Sequence, residues 1–227
     1  MKFKLIISYI ILLFILVSCS SPETENNNEQ KQINQKVLTN SNNDSGVYLK
    51  VNFLSESTAR YLVREQLANL DFPIDAIGET NEINGSISLD KNGNVISEKS
   101  IIIVNVQSLK SDNGRRDRYI SRKSLETNTY PEAKIVVTKI ENLTWPVPKN
   151  GTGEIIIIGD MTAHGVTNQI SWNTSVNFND NNIKGLAKTN FKFDKFDMDI
   201  PRVAIVLSVD DNIRLELDFN AEIIYLE

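Results

Sequence analysis

From Val47 onward, apolar and polar residues trade places at every second position, and the pattern returns almost to the end of the chain. Leu49, Val51 and Phe53 alternate with Lys50 and Asn52, and Ile170, Trp172 and Val176 alternate with polar partners in the same way. A period of two is the mark of a strand with one buried face. The β-branched runs 101–106, 134–140 and 154–159, with 83–89, 166–178, 186–196, 204–209 and 213–224, bring the expectation to eight or nine strands. The links between them are short: Asn92-Gly93 reads as a tight hairpin turn, and the polar stretches 179–182 and 210–212 read as two more. Sequential hairpins without crossover helices specify an antiparallel sheet. Strands this numerous and evenly spaced suggest a sandwich or a closed barrel.

Two stretches depart from the rhythm. Residues 67–80 are unusually apolar for a loop and read as partly helical or irregular. Residues 111–130 are charged, with Arg115, Arg116, Asp117, Arg118, Arg122 and Lys123, and read as a short helix near 115–121 followed by a loop. Both are expected to flank one opening of the barrel.

The chain ahead of this domain has a different character. Residues 1–18 carry a basic start (Lys2, Lys4) and an apolar run from Leu5 to Val17 broken at Ser8. That is the layout of a secretory signal, shorter than the ~20 residues a spanning helix requires. It ends at Leu16-Val17-Ser18-Cys19, which resembles a bacterial lipobox, and Cys19 is the only cysteine in the chain. Acylation of Cys19 would supply the two or more lipid signals that stable anchoring needs. Residues 19–46 are nearly all polar and read as a disordered tether, holding the domain about 30 Å from the lipid on average. The expected organisation is a signal at 1–18, a lipidated tether at 19–46 and a barrel at 47–227. The expected location is extracytoplasmic, on the cell membrane or the outer membrane.

With Cys19 committed to the anchor, neither a disulfide nor a cysteine-based metal site is expected in the domain. The formal net charge is -5, a poor match for nucleic acid. His164 is the only histidine, and beside Gly165 it reads as a hairpin-turn residue rather than a catalytic or metal-binding one. Asp90 to Asn94 lacks the glycine and glutamate spacing of a calcium loop, and Gly151-Thr-Gly153 lacks the rest of a dinucleotide fingerprint. Glu65, Asp117 and Asp160 form no catalytic motif. Neither a cofactor nor enzymatic activity is expected.

Three ordered motifs carry a resemblance. Ser111-Asp-Asn-Gly-Arg-Arg-Asp117 precedes Leu125-Glu-Thr-Asn-Thr-Tyr-Pro131 and a strand, and Gly159-Asp-Met-Thr-Ala-His-Gly-Val-Thr167 follows. Together they are similar to the YceI-like polyisoprenoid-binding family, with Met161 and Ala163 as mild departures from its "GDLTIHGVT" stretch. Ser108-Leu109 and Glu65-Gln66-Leu67 also look like a subgroup of that family, and the resemblance covers about 47–223. It implies an all-β fold, an eight-stranded antiparallel lipocalin-like barrel with one or two short helices, whose apolar interior holds an isoprenoid or similar apolar-tailed lipid. Residues 60–80 look like an insertion relative to simpler members. On this reading the tail lies near Trp172, Phe191 and Phe193, and the head sits by Arg115, Arg116 and Asp117. From the residues alone, the arginines read rather as a solvated helix face, with Arg116 held by Asp117 or Asp112 in a surface ion pair. Side-chain volume decides whether the barrel is hollow. A filled barrel would make the chain a structural or interaction lipoprotein of the envelope. The oligomeric state stays open, a homodimer included.

Replacing Cys19 with Ser is expected to abolish incorporation of labelled palmitate and to move the protein out of the membrane fraction on cell fractionation.

Overall fold

The computed structural model of the chain describes residues 46–226. The signal segment, Cys19 and the tether up to residue 45 lie outside the described residues. Eleven strands form one antiparallel sheet: β1 (Leu49–Phe53), β2 (Thr58–Leu67), β3 (Ile74–Thr80), β4 (Ile83–Leu89), β5 (Ile101–Asn105), β6 (Lys110–Ser111), β7 (Glu132–Glu141), β8 (Asn150–Ala163), β9 (Val166–Asn179), β10 (Asn182–Phe191) and β11 (Val206–Tyr225). The order β1-β4-β5-β7-β8-β9-β10-β11 returns from β11 to β1, which closes a ring of eight.

The remaining three strands extend members of that ring. β1 and β2 lie along the same edge of β11, β1 against residues 221–225 and β2 against 206–218. Beside them β4 and β3 continue one another, and β5 and β6 do so in turn. Each pair is one long strand bent in the middle. The barrel is therefore an up-and-down meander in which every neighbour in sequence is a neighbour in space.

Bending a strand interrupts its ladder, and the groups released must find partners. At the first bend, 54–57, they do. Leu54 donates its N–H to Asn220 O at 2.8 Å. Ser57, completely buried, donates its hydroxyl to Asn220 O at 3.1 Å and accepts from Asn220 N at 3.2 Å. The next bend is tied to the first by Asn81, whose amide donates to Ser57 O at 2.9 Å and to Thr58 Oγ1 at 2.8 Å. At the third, the Thr80 and Ser108 hydroxyls meet at 2.6 Å.

Three expectations need correcting. Residues 67–80 are not helical: β2 runs to Leu67, a tip containing Pro73 follows, and β3 returns from Ile74. The apolar Leu70 and Phe72 belong to that exposed tip and interrupt the strand period without entering the core. Nor do Asp210 to Asn212 form a turn. They lie inside β11, where the register against β2 passes from Val209↔Glu65 to Ile213↔Val63, so two extra residues bulge out. The strand expected over 186–196 ends at Phe191 and gives way to a short 3-10 turn at Phe193–Phe196. The turns expected at Asn92-Gly93 and His164-Gly165 are present, the latter with φ of 49° and 76°.

Inward residues fill the two halves of the lumen differently. In the lower half, Phe53 packs on Phe219 with ring centroids 5.3 Å apart, and with Phe178 they leave a void of only about 50 Å³. The Phe219 ring lies over Gly185, where a Cβ would come within 2.3 Å of it. The upper half is open.

Gly85 sits inside β4 at φ +145°, and a Cβ there would stand 2.2 Å from Ile101 O, a backbone atom that cannot swing away. Gly85→Ala is expected to lower stability by about 3 kcal/mol, seen as a lower urea midpoint at an unchanged slope.

Candidate functional site

The open upper lumen is a cavity of about 500 Å³. Its walls come from the inward positions of the strands: Val63 on β2, Ile135 on β7, Met161 and Trp172 on β8 and β9, Leu215 and Leu217 on β11. Space exists because four inward positions carry only a methyl group, Ala59, Ala76, Ala133 and Ala163. The residues that line the lower half are all Val, Ile, Leu or Phe, and so it is nearly full. The change from full to open falls at the bends, since β1 lines the small void and β2 the large cavity.

A helix, α1 (Gly114–Tyr119), begins the roof and runs on as a wider π-type turn over Ile120–Ser124. Its N-cap is Asn113, whose side chain accepts from Arg115 N at 2.9 Å and Arg116 N at 3.4 Å. Tyr119, Ile120 and Leu125 face the cavity from this segment, and Met198, Pro201, Val203, Ala204 and Ile205 face it from the connection between β10 and β11. The two edges meet where Arg202 N donates to the Tyr119 hydroxyl at 3.4 Å.

The cavity has one polar corner. Arg116 Nη2 donates to Glu65 Oε1 at 2.8 Å, with the side chains only 13% and 10% exposed. Nη1 of the same guanidinium binds Asp112 and lies 3.4 Å from Ser111 Oγ. Burial alone would disfavour the charge on Arg116, but its hydrogen bonds to Glu65 and Asp112 outweigh that and raise its pKa. Burial also pushes the nearby Tyr61 phenol far above its ordinary value, an effect Arg116 only partly offsets. Tyr61 therefore stays a neutral hydroxyl at the edge of an otherwise apolar chamber.

Of the residues singled out from sequence, Arg115, Arg116, Trp172, Phe191 and Phe193 all border this cavity, although they are drawn from positions 115 to 193. Phe191 also stacks edge-on against Phe196 at 4.7 Å. Asp117 does not border it; its carboxylate accepts from Ser111 N at 2.9 Å and Ser111 Oγ at 2.6 Å and so secures the start of α1. Cys19 lies outside the described residues. Trp172 Nε1 is buried and has no hydrogen-bond partner among the described residues. Glu65 was not foreseen as the partner of Arg116, yet a signal was there: it interrupts the inward series Ala59-Tyr61-Val63-Glu65-Leu67.

His164 lies at the β8–β9 turn. Its Nδ1 is 3.1 Å from Phe196 O, its ring meets Tyr130 edge-on at 5.2 Å, and Nε2 stands 3.5 Å from Glu126 Oε2 without a hydrogen bond. Asp160 faces outward on β8, away from Glu65. Among the described residues no group of three or more His, Cys, Asp or Glu side chains is placed to hold a metal ion.

Comparison with known proteins gives a consistent picture. The family model described as a YceI-like domain matches residues 55–221. A UPF0312 protein of Vibrio parahaemolyticus is 26% identical over 160 residues, which covers 66% of this chain and 80% of that protein. Among solved structures, a polyisoprenoid binding domain from Saccharophagus degradans implicated in plant cell wall breakdown superposes with a TM-score of 0.59 at 11% identity, covering 78% of this chain and 98% of that one. BcnA of Burkholderia cenocepacia superposes with a TM-score of 0.52 at 15% identity, covering 75% and 97%. At such identities the structural likenesses establish a shared fold.

Removing one partner of a buried ion pair strands the other. Arg116→Met is expected to cost about 3 kcal/mol, while adding Glu65→Met should recover at least 1 kcal/mol of that. Chemical denaturation of the two single variants and the double variant completes the cycle.

Proposed function

The chain belongs to the YceI-like family, and on that footing we propose that it binds an amphiphile with a long apolar tail, of the isoprenoid class, inside its barrel. The observation that carries this reading is the cavity: about 500 Å³, walled by aliphatic and aromatic side chains, with a single polar corner at Glu65, Arg116 and Tyr61. A volume of that size is typical of small-molecule sites, which are largely apolar with a few polar groups to fix orientation. Each methylene moved from water into such a chamber contributes about 0.8 kcal/mol before the costs of association are subtracted. Affinity then needs no reacting group. The tail lies between Trp172, Ile135 and Leu215, and the head rests under α1 near Arg115 and Arg116. The Saccharophagus degradans relative, a polyisoprenoid binding domain of the same fold, supports the choice of ligand class.

The second part of the proposal concerns place. The lipobox-like Cys19 and the polar tether behind it suit a lipoprotein that works outside the cytoplasm, taking up or releasing its ligand beside a membrane. The rival assignment, a structural or interaction lipoprotein, requires a lumen filled along its length. The upper half of this lumen is open, which favours the binding reading.

Ala133 and Ala163 give the test, since a larger side chain at either would occupy the chamber. Native mass spectrometry of the purified protein, after incubation with prenol or quinone in mild detergent, is expected to show a one-to-one adduct. Ala163→Leu should weaken it and Ala133→Phe should remove it, with far-UV circular dichroism unchanged in both. A parent protein that takes up no prenyl lipid, or takes up phospholipid equally well, would end the proposal.

A further inference from the structure

Eight large apolar side chains are exposed among the described residues, and only Tyr225 stands at the closed end of the barrel. The others gather at the mouth half. The most exposed are Phe72 at 78%, Leu207 at 67% and Ile205 at 57%, with Leu70 beside them. They form one lip. Phe72 and Leu70 sit on the β2–β3 tip, Ile205 and Leu207 at the start of β11, and the two are joined by Ala68 N donating to Ile205 O at 3.0 Å and by the pairing of Leu67 with Val206. Ile205 also lines the cavity, so the lip borders the opening itself.

Next to the lip the surface is basic. Arg202 follows on from it and touches α1 through Tyr119. On and just beyond α1, Arg115, Arg118, Arg122 and Lys123 are exposed, and none of these five cations forms an ion pair among the described residues. They are concentrated here in a chain whose formal net charge is -5. The exposed acidic residues of the β10–β11 connection, Asp194, Asp197 and Asp199, begin beside the His164 turn and end before Arg202, and Asp71 is the only carboxylate in the 68–73 tip.

We infer that this face docks onto an anionic lipid bilayer, with Phe72 and Leu207 entering the acyl boundary and the arginines meeting the headgroup phosphates. Exposed apolar side chains rimmed by cations are what an interfacial membrane contact requires. Each Arg or Lys held near an anionic surface adds about 1 kcal/mol to the attraction. A second copy of the chain is a poor occupant, because a two-fold contact through this face would bring two sets of five unpaired cations together. Docking leaves the opening facing hydrocarbon, so an apolar molecule could pass between bilayer and chamber without crossing water. The contact rests on the exposed side chains and their charge, and does not depend on what the chamber holds.

A local probe tests it. In the full chain carrying Cys19→Ser, Phe72→Cys is labelled with a polarity-sensitive fluorophore, and Asn181→Cys, in the β9–β10 turn at the far end, is the control. On adding vesicles of phosphatidylcholine with phosphatidylglycerol, the label at 72 should shift to the blue and be quenched by a bilayer-embedded quencher, while the label at 181 stays unchanged. The N-terminal segment is common to both proteins and cannot produce a difference between them. Removing Arg115, Arg118 and Arg122 together by Ala substitution should reduce partitioning roughly a hundredfold, about fivefold for each charge. Equal responses at 72 and 181, no response at 72, a response indifferent to phosphatidylglycerol, or a blue shift that appears without vesicles as protein concentration rises would each overturn the inference. Native mass spectrometry of the prenyl adduct is independent of this readout, so either result can fail while the other holds.

Discussion

Ser57 is completely buried, and its hydroxyl both gives to and takes from Asn220 where β1 would otherwise continue straight into β2. In a closed barrel there is no spare edge on which to leave an unpaired backbone group, so a bend is tolerated only where some other group takes over the bond. Ser57, Asn81 and the Thr80–Ser108 pair do this at three neighbouring bends. The bends in turn divide the lumen. Below them the inward residues of β1 and β4 pack around phenylalanines; above them β2 and β3 face an open chamber. The chamber thus depends on a belt of short polar side chains that never touches what it encloses.

The roof poses a separate problem. α1 has six residues, too few to hold a helix in water without help. Its help is polar: Asn113 caps it, Asp117 ties it back to Ser111, and Arg116 joins it to Glu65 on the wall. The Glu65–Arg116 pair therefore has two effects. It fastens the roof to β2, and it puts a compensated, hydrogen-bonding corner into a chamber that is otherwise apolar. A cation engaged by two carboxylates in this way does not act as a bare positive charge.

Much of the barrel was legible because strand alternation is local. The β8–β9 hairpin, the longest in the fold, could be read from Ile170, Trp172 and Val176 alone, and His164-Gly165 marked its turn. The failures have local causes too. Phe72 and Leu70 are apolar for a surface reason and blurred the period, hiding a hairpin. Asp210-Asp-Asn212 has the composition of a turn, yet β2 pairs on both sides of it, and Asp211 is engaged in accepting from Phe193 N at 3.1 Å. The first bend and the partner of Glu65 were out of reach for a different reason: the inward place of Glu65 shows in the alternation of β2, but Ser57 and Asn220 are 163 positions apart and Glu65 and Arg116 are 51, and no short pattern records either pairing. The volume of the chamber was half visible, in alanines at inward positions, but its worth depends on what faces each alanine across the lumen.

The floor is as informative as the roof. Phe219 packs close against Gly185, and with Phe53 and Phe178 it stops the lumen halfway down. A tube open along its whole length would accept chains of any reach, whereas a blind one measures them. A guest longer than the chamber is deep must leave its surplus trailing through the mouth, and where that surplus comes to rest becomes part of the binding equilibrium.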